Sequence, residues 1–72
     1  MTGPGRRGAV VVFDEERGWG TVRTADGDEF WFHCTAIAGG TRSIEEGTRV
    51  MFEVVAGHLG RWEAVGIRPV DA

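Results

Sequence analysis

The chain is expected to fold as an all-β domain, a five-stranded antiparallel barrel of Greek-key topology. Three observations lead to this. Twelve of the 72 residues are glycine, too many for a helical bundle, in which each interior glycine costs about 1 kcal/mol relative to alanine. Short apolar or alternating runs of strand length are separated by turn-forming residues. A chain of 72 residues also holds only one small domain with a thin core, and closing the sheet on itself protects edges that would otherwise stay exposed. Hydrophobic residues at 42% and charged residues at 26% place the chain among globular proteins and exclude a disordered one.

Residues 1–7 (MTGPGRR) have no periodicity and are rich in glycine and proline, so they are expected to form a mobile leader to a domain spanning 8–70. Residues 8–13 (GAVVVF) are β-branched and apolar, a strand expected to be buried in part on both faces. The charged residues Asp14, Glu15, Glu16 and Arg17 make a connection, and the second strand runs over 19–24. Asp26-Gly27 marks a tight hairpin turn into the third strand, 29–33 (EFWFH). Short connections make an antiparallel meander of these three the economical topology. The stretch 34–47 is irregular, broken at Gly39-Gly40, and Ser43 to Glu46 is expected to form a single helical turn. The fourth strand, 48–56, sets Val50, Phe52 and Val54 on one side and Met51 and Glu53 on the other. A turn over 57–60 leads to the fifth strand, 62–68, which Pro69 stops.

The net charge of −3 argues against a duplex-DNA binder that relies on a broad phosphate-neutralising surface. It leaves open a protein that holds bases by stacking, for which one local face matters more than the total. Every positive side chain is an arginine. A lone Cys34 makes no intramolecular disulfide, no run approaches membrane-spanning length, and the N-terminus lacks the apolar core of a secretory signal, so a reducing cytoplasm is expected. His33 and Cys34 are adjacent but point apart on a strand. With only the distant His58 to join them they give no tetrahedral ligand set, so neither a metal nor a cofactor is expected. Cys34 has no base placed for it and the acidic run reads as a solvated loop, so no catalytic residue and no enzyme activity are expected.

Strand parity carries the functional reading. On the third strand Phe30 and Phe32 share one face, and Glu29, Trp31 and His33 share the other. A face holding Glu29 and His33 is not the core, so Phe30 and Phe32 point inward and Trp31 faces solvent. On the second strand Val22 goes inward with Gly18 and Gly20, leaving Trp19, Thr21 and Arg23 outside. Paired through the Asp26-Gly27 turn, these strands bring Trp19, Arg23, Trp31 and His33 onto one wet surface. Exposed aromatic rings beside arginine suit single-stranded nucleic acid, in which bases stack on rings and guanidiniums take phosphates.

Arg17-Gly18-Trp19-Gly20-Thr21-Val22 resembles the first ribonucleoprotein motif, and Phe30-Trp31-Phe32-His33 resembles the second. The two in register, followed by Ala36-Ile37, Glu45-Glu46-Gly47 and Phe52-Glu53, resemble the cold-shock domain family over nearly the whole chain. The resemblance implies a barrel of the OB-fold type. It also implies binding of single-stranded RNA or DNA with modest sequence preference, an RNA chaperone role and no catalysis. It assigns Trp19 and Trp31 as stacking rings, His33 as a stacking or hydrogen-bonding partner, Arg17 as the basic residue of the first motif and Phe13 as the phenylalanine of the first strand. Trp62 stands where the last hairpin of the family reaches the binding face.

The chain departs from the family at Val11-Val12, where the family has Lys-Trp, and at Thr21, Cys34 and Thr41, where it has aromatic residues. A weaker or narrower binder than a typical member is therefore expected. The alternative is a protein-interaction module on the same barrel, with a protein partner or a second copy of the chain on the Trp19/Trp31 face. The replaced positions and the acidic total favour that alternative.

Overall fold

The computed structural model describes residues 5–39, 42–57 and 60–70. Five strands, β1 (Arg6–Asp14), β2 (Trp19–Thr24), β3 (Glu29–His33), β4 (Arg49–Ala56) and β5 (Trp62–Pro69), close into a barrel in the order β1-β2-β3-β5-β4. Four seams are antiparallel, and the closing seam between β3 and β5 is parallel, with Trp31 opposite Glu63. The all-β Greek-key barrel read from the sequence is the fold observed, with this parallel seam as the added feature.

The strands form where β-branched and aromatic residues alternate, and their inward sets make the core. Val10, Val22, Phe32, Val50, Phe52, Ala64 and Ile67 are buried, with Ile37 from the loop after β3 completing the cluster. Phe30 has the expected inward parity but is only partly buried, because it lies at the edge of the core against Phe52, with the Arg6 guanidinium 5.5 Å from its ring centre. Strand β1 begins at Arg6, two residues before the expected start, because Arg6 and Arg7 pair with Phe52 and Met51 on β4. Of the rest of the expected leader, Gly5 precedes β1 as an exposed residue and residues 1–4 lie outside the described residues.

Two irregularities tune the barrel. Val10 faces Val22 and Val12 faces Thr21, so Val11 is the extra residue of a bulge. The bulge shifts the parity: Val10 and Phe13 both turn inward, while Val11 and Val12 are 38% and 42% exposed. Burial in part on both faces, as expected for 8–13, therefore does not extend to Val11 and Val12. On β5 the extra residue falls between Val65 and Arg68, where Gly66 has φ +61°. Arg68 holds this bulge, donating from Nη1 to the Gly66 carbonyl at 2.7 Å and pairing through Nη2 with Glu53 at 3.1 Å.

The β2–β3 hairpin turns through Ala25, Asp26 and Gly27, with Gly27 N–H donating to the Thr24 carbonyl at 3.0 Å and Gly27 at φ +91°. A left-handed residue closing a loop of this length favours glycine. An added Cβ at Gly27 would meet nothing within 4 Å, so Gly27→Ala isolates the backbone cost. The expected loss is about 1–2 kcal/mol, read as a lower urea midpoint. An unchanged midpoint would contradict this reading of the turn.

The short helical turn lies at Cys34–Ala36 and not at Ser43 to Glu46. The His33 side chain caps it by accepting from the Thr35 N–H, whereas Glu45 to Thr48 make a reverse turn through Gly47 at φ +89°. The expected turn over 57–60 falls partly on residues 58–59 and the expected break on residue 40, which lie outside the described residues.

Candidate nucleic-acid interface

The outer face of β1, β2 and β3 is ordered by the strand register into two rows. One runs Asp14–Trp19–His33, and the next runs Val12–Thr21–Trp31 and continues across the closing seam to Glu63. Trp19 and Trp31 are therefore diagonal neighbours on one face, and neither belongs to the buried core. Their exposure differs from the expectation. Each indole is half-buried rather than fully in solvent, because each has cross-strand neighbours on both sides that take part of its surface.

The glycines of the first motif make this face possible. Gly18, at φ +75°, ends the loop after β1, its N–H donating to the Asp14 carbonyl at 2.8 Å, and an added Cβ would lie 3.2 Å from Cys34 Sγ. Gly20 sits under two rings: an added Cβ would run into the Val12 carbonyl oxygen and would meet Phe32 Cζ at 2.9 Å and Phe13 Cδ1 at 3.0 Å. Phe13 is drawn to the core side by the bulge and stacks on Phe32 with centroids 5.8 Å apart and planes 8° from parallel. Phe13 thus supports the indole face from beneath and does not share it.

His33 lies next to Trp31 on the same face, their ring centres 6.2 Å apart and planes tilted by 48°. The Thr35 N–H donates to His33 Nδ1 at 3.3 Å, and Thr35 Oγ1 lies 3.0 Å from the same nitrogen. With Nδ1 accepting, the neutral ring carries its proton on Nε2. That nitrogen is the donor available to a base on this exposed side chain.

The charges on the face are largely matched. Arg23 and Glu29, opposite each other on β2 and β3, form a close ion pair in which Arg23 Nε also donates at 2.8 Å. Arg17 reaches Asp14 at 3.7 Å, while Asp14 Oδ1 accepts from the backbone N–H groups of Glu16 and Arg17 and so shapes the charged loop. The two cations expected to contact phosphate are thus each beside a carboxylate. The Arg23–Glu29 pairing follows from the register across the Asp26-Gly27 turn, a signal that reading Arg23 by itself missed.

Trp62, 61% exposed, is the first residue of β5 and pairs with Ala56. Its chain neighbour Glu63 is the partner of Trp31, so Trp62 stands at the rim beside the Trp31 row with the opposite parity. Of the replaced aromatic positions, Val12 and Thr21 fall in line with Trp31, leaving one ring in that row. Cys34 is partly buried against the core, with Sγ 3.8 Å from His33 Nδ1. Thr41 lies outside the described residues.

Comparison with known proteins agrees with this arrangement. The family model of the 'Cold-shock' DNA-binding domain matches residues 6–70. Cold shock protein CspB of Geobacillus stearothermophilus and cold shock protein CspD of Bacillus subtilis are each 43% identical to this chain over 56 residues, covering 76% of it and 85% of their own length. In fold, the chain is similar to the solved structure of drosophila Unr CSD456, with a TM-score of 0.77 over 94% of this chain, 23% identity and 27% of that chain covered. A match over nearly the full length, with both motifs lying side by side on one sheet face, shows that the chain belongs to the cold-shock domain family.

Proposed function

We propose that this protein binds unpaired bases of single-stranded RNA or DNA on the outer face of β2 and β3, with Trp19 and Trp31 as stacking platforms and His33 as a hydrogen-bonding or stacking partner. The observation that carries this is the placement of both indoles and the imidazole on one face of the barrel, outside the core. Phe13 acts from below by fixing that face, and Trp62 extends its rim. An RNA chaperone role follows from the chemistry: a surface that holds unpaired bases favours melted over folded RNA by mass action. The role is one of binding without catalysis, carried by the barrel that begins with β1 at Arg6 and ends after β5 at residue 70. A cytoplasmic setting fits a single cysteine, Cys34, with no partner for an intramolecular disulfide, and no helix among the described residues is long and apolar enough to cross a membrane.

Because Arg17 and Arg23 each lie beside a carboxylate, stacking rather than phosphate neutralisation supplies most of the affinity on this face. With fewer rings in the Trp31 row than the family carries, binding is weaker than in a typical member. The test is a tryptophan-fluorescence titration at low salt with a pyrimidine-rich single strand of about four nucleotides, near the lower site size of such barrels. Quenching is expected, with a shallow salt dependence and little competition from duplex. Absence of quenching at low salt, with a protein co-purifying, would instead give the face to a protein partner or to a second copy of the chain.

A further inference from the structure

A second surface adjoins the indole face. An open cleft of about 730 Å³ on the outside of the β1–β2–β4 side is rimmed by Arg7, Arg23 and Arg49 over a floor that includes Ala9, Val11 and Val70. The β1 pairings assemble it: Ala9 faces Arg23 on β2 and Arg49 on β4, and Arg7 is the next outward residue of β1 after Ala9. These residues are far apart in sequence, and in a chain of net charge −3 the cleft gathers three guanidiniums with no carboxylate among the described residues that line it. Arg23 is occupied by Glu29. Arg7 and Arg49 are exposed, and among the described residues neither side chain has an ion-pair or hydrogen-bond partner.

We propose that this cleft holds the sugar-phosphate backbone of the same single strand whose bases lie on Trp19 and Trp31, with Arg7 and Arg49 as the phosphate contacts. The inference rests on the stacking reading of that face and adds to it the place where backbone charge is met. Two observations favour a polyanion as occupant. The charge is complementary, since guanidiniums fork onto phosphate oxygens. The cleft is also continuous with the stacking face, because Arg23 lies two residues from Thr21 on β2 and Val11 adjoins Val12, which are both members of the Trp31 row. Four residues of strand separate the level of Thr21 from that of Arg7, which is roughly 13 Å, so a strand must extend beyond the indoles to arrive there. Affinity gained from length is therefore electrostatic.

The test compares single strands of about four and about nine nucleotides, both within the site sizes of such barrels, across a salt series. The proteins are wild type, Arg7→Gln/Arg49→Gln, Arg7→Lys/Arg49→Lys and Trp31→Ala. In wild type the longer strand binds more tightly and with a steeper salt dependence. In the glutamine variant the short strand binds as before, while the slope of log K against log salt for the long strand falls by about 1.4, at about 0.7 per lost phosphate contact. The lysine variant keeps most of the slope. Matching thermal melts of the variants guard against a folding artefact. A glutamine variant that keeps the long-strand affinity and slope of wild type overturns the cleft assignment. Unchanged binding by Trp31→Ala would remove the stacking face, a failure read separately.

Discussion

Replacing Gly20 by alanine is expected to bring this small barrel close to unfolding. The added methyl would be driven into the Val12 carbonyl oxygen, which as backbone on the paired strand cannot move aside as a side chain can. It would also press on Phe32, which is fully buried, and on Phe13, which stacks on Phe32. Relief needs β1 and β2 to separate at the register pair Phe13–Gly20, next to the Val11 bulge. Overpacking of a tight core costs about 1–3 kcal/mol and occasionally more, and contact with backbone puts this case at the upper end. A single core of this size supplies only about 3–5 kcal/mol in total. A loss of about 3 kcal/mol lowers the melting temperature by roughly 12–24 °C, to be followed by far-UV circular dichroism. A shift of only a few degrees would show that the two strands are not held at the spacing described.

The second large effect is on binding. Trp31→Ala is expected to lose about 1–3 kcal/mol of affinity for single-stranded oligonucleotide, roughly 5- to 150-fold, with little change in the melt. Trp31 is outside the core and half-buried, so its removal leaves no internal cavity. Its loss is felt strongly because its β1 and β2 row neighbours are Val12 and Thr21, neither of which offers a ring to which a base can shift. Isothermal titration beside a thermal melt separates the two quantities. A variant that binds as wild type would place the bases elsewhere, and one that fails to fold would show the indole to be structural.

Much of the fold was legible because its signals are local. The alternation in 29–33 and 48–56 set the inward and outward sides of β3 and β4, and Asp26-Gly27 gave the hairpin that brings Trp19 and Trp31 together. The Val11 bulge was hidden, since GAVVVF is uniformly apolar and carries no proline or internal glycine to mark a change of parity. For that reason Val12 could not be assigned to the Trp31 row, nor Phe13 to the core side, from pattern alone. The helical turn at Cys34–Ala36 depends on a cap from the His33 side chain, a contact with no spacing signature. The Arg7/Arg49 cleft was equally invisible, because it exists only once β1 pairs with β4 across the barrel.

The most direct measurement follows the indole Nε1–H resonances of Trp19, Trp31 and Trp62 as a short pyrimidine single strand is added. Stacking on the outer face of β2 and β3 requires the Trp19 and Trp31 signals to move together and saturate with the binding curve. If the strand binds while both stay fixed, and only Trp62 or residues outside this face respond, the bases do not lie on these rings.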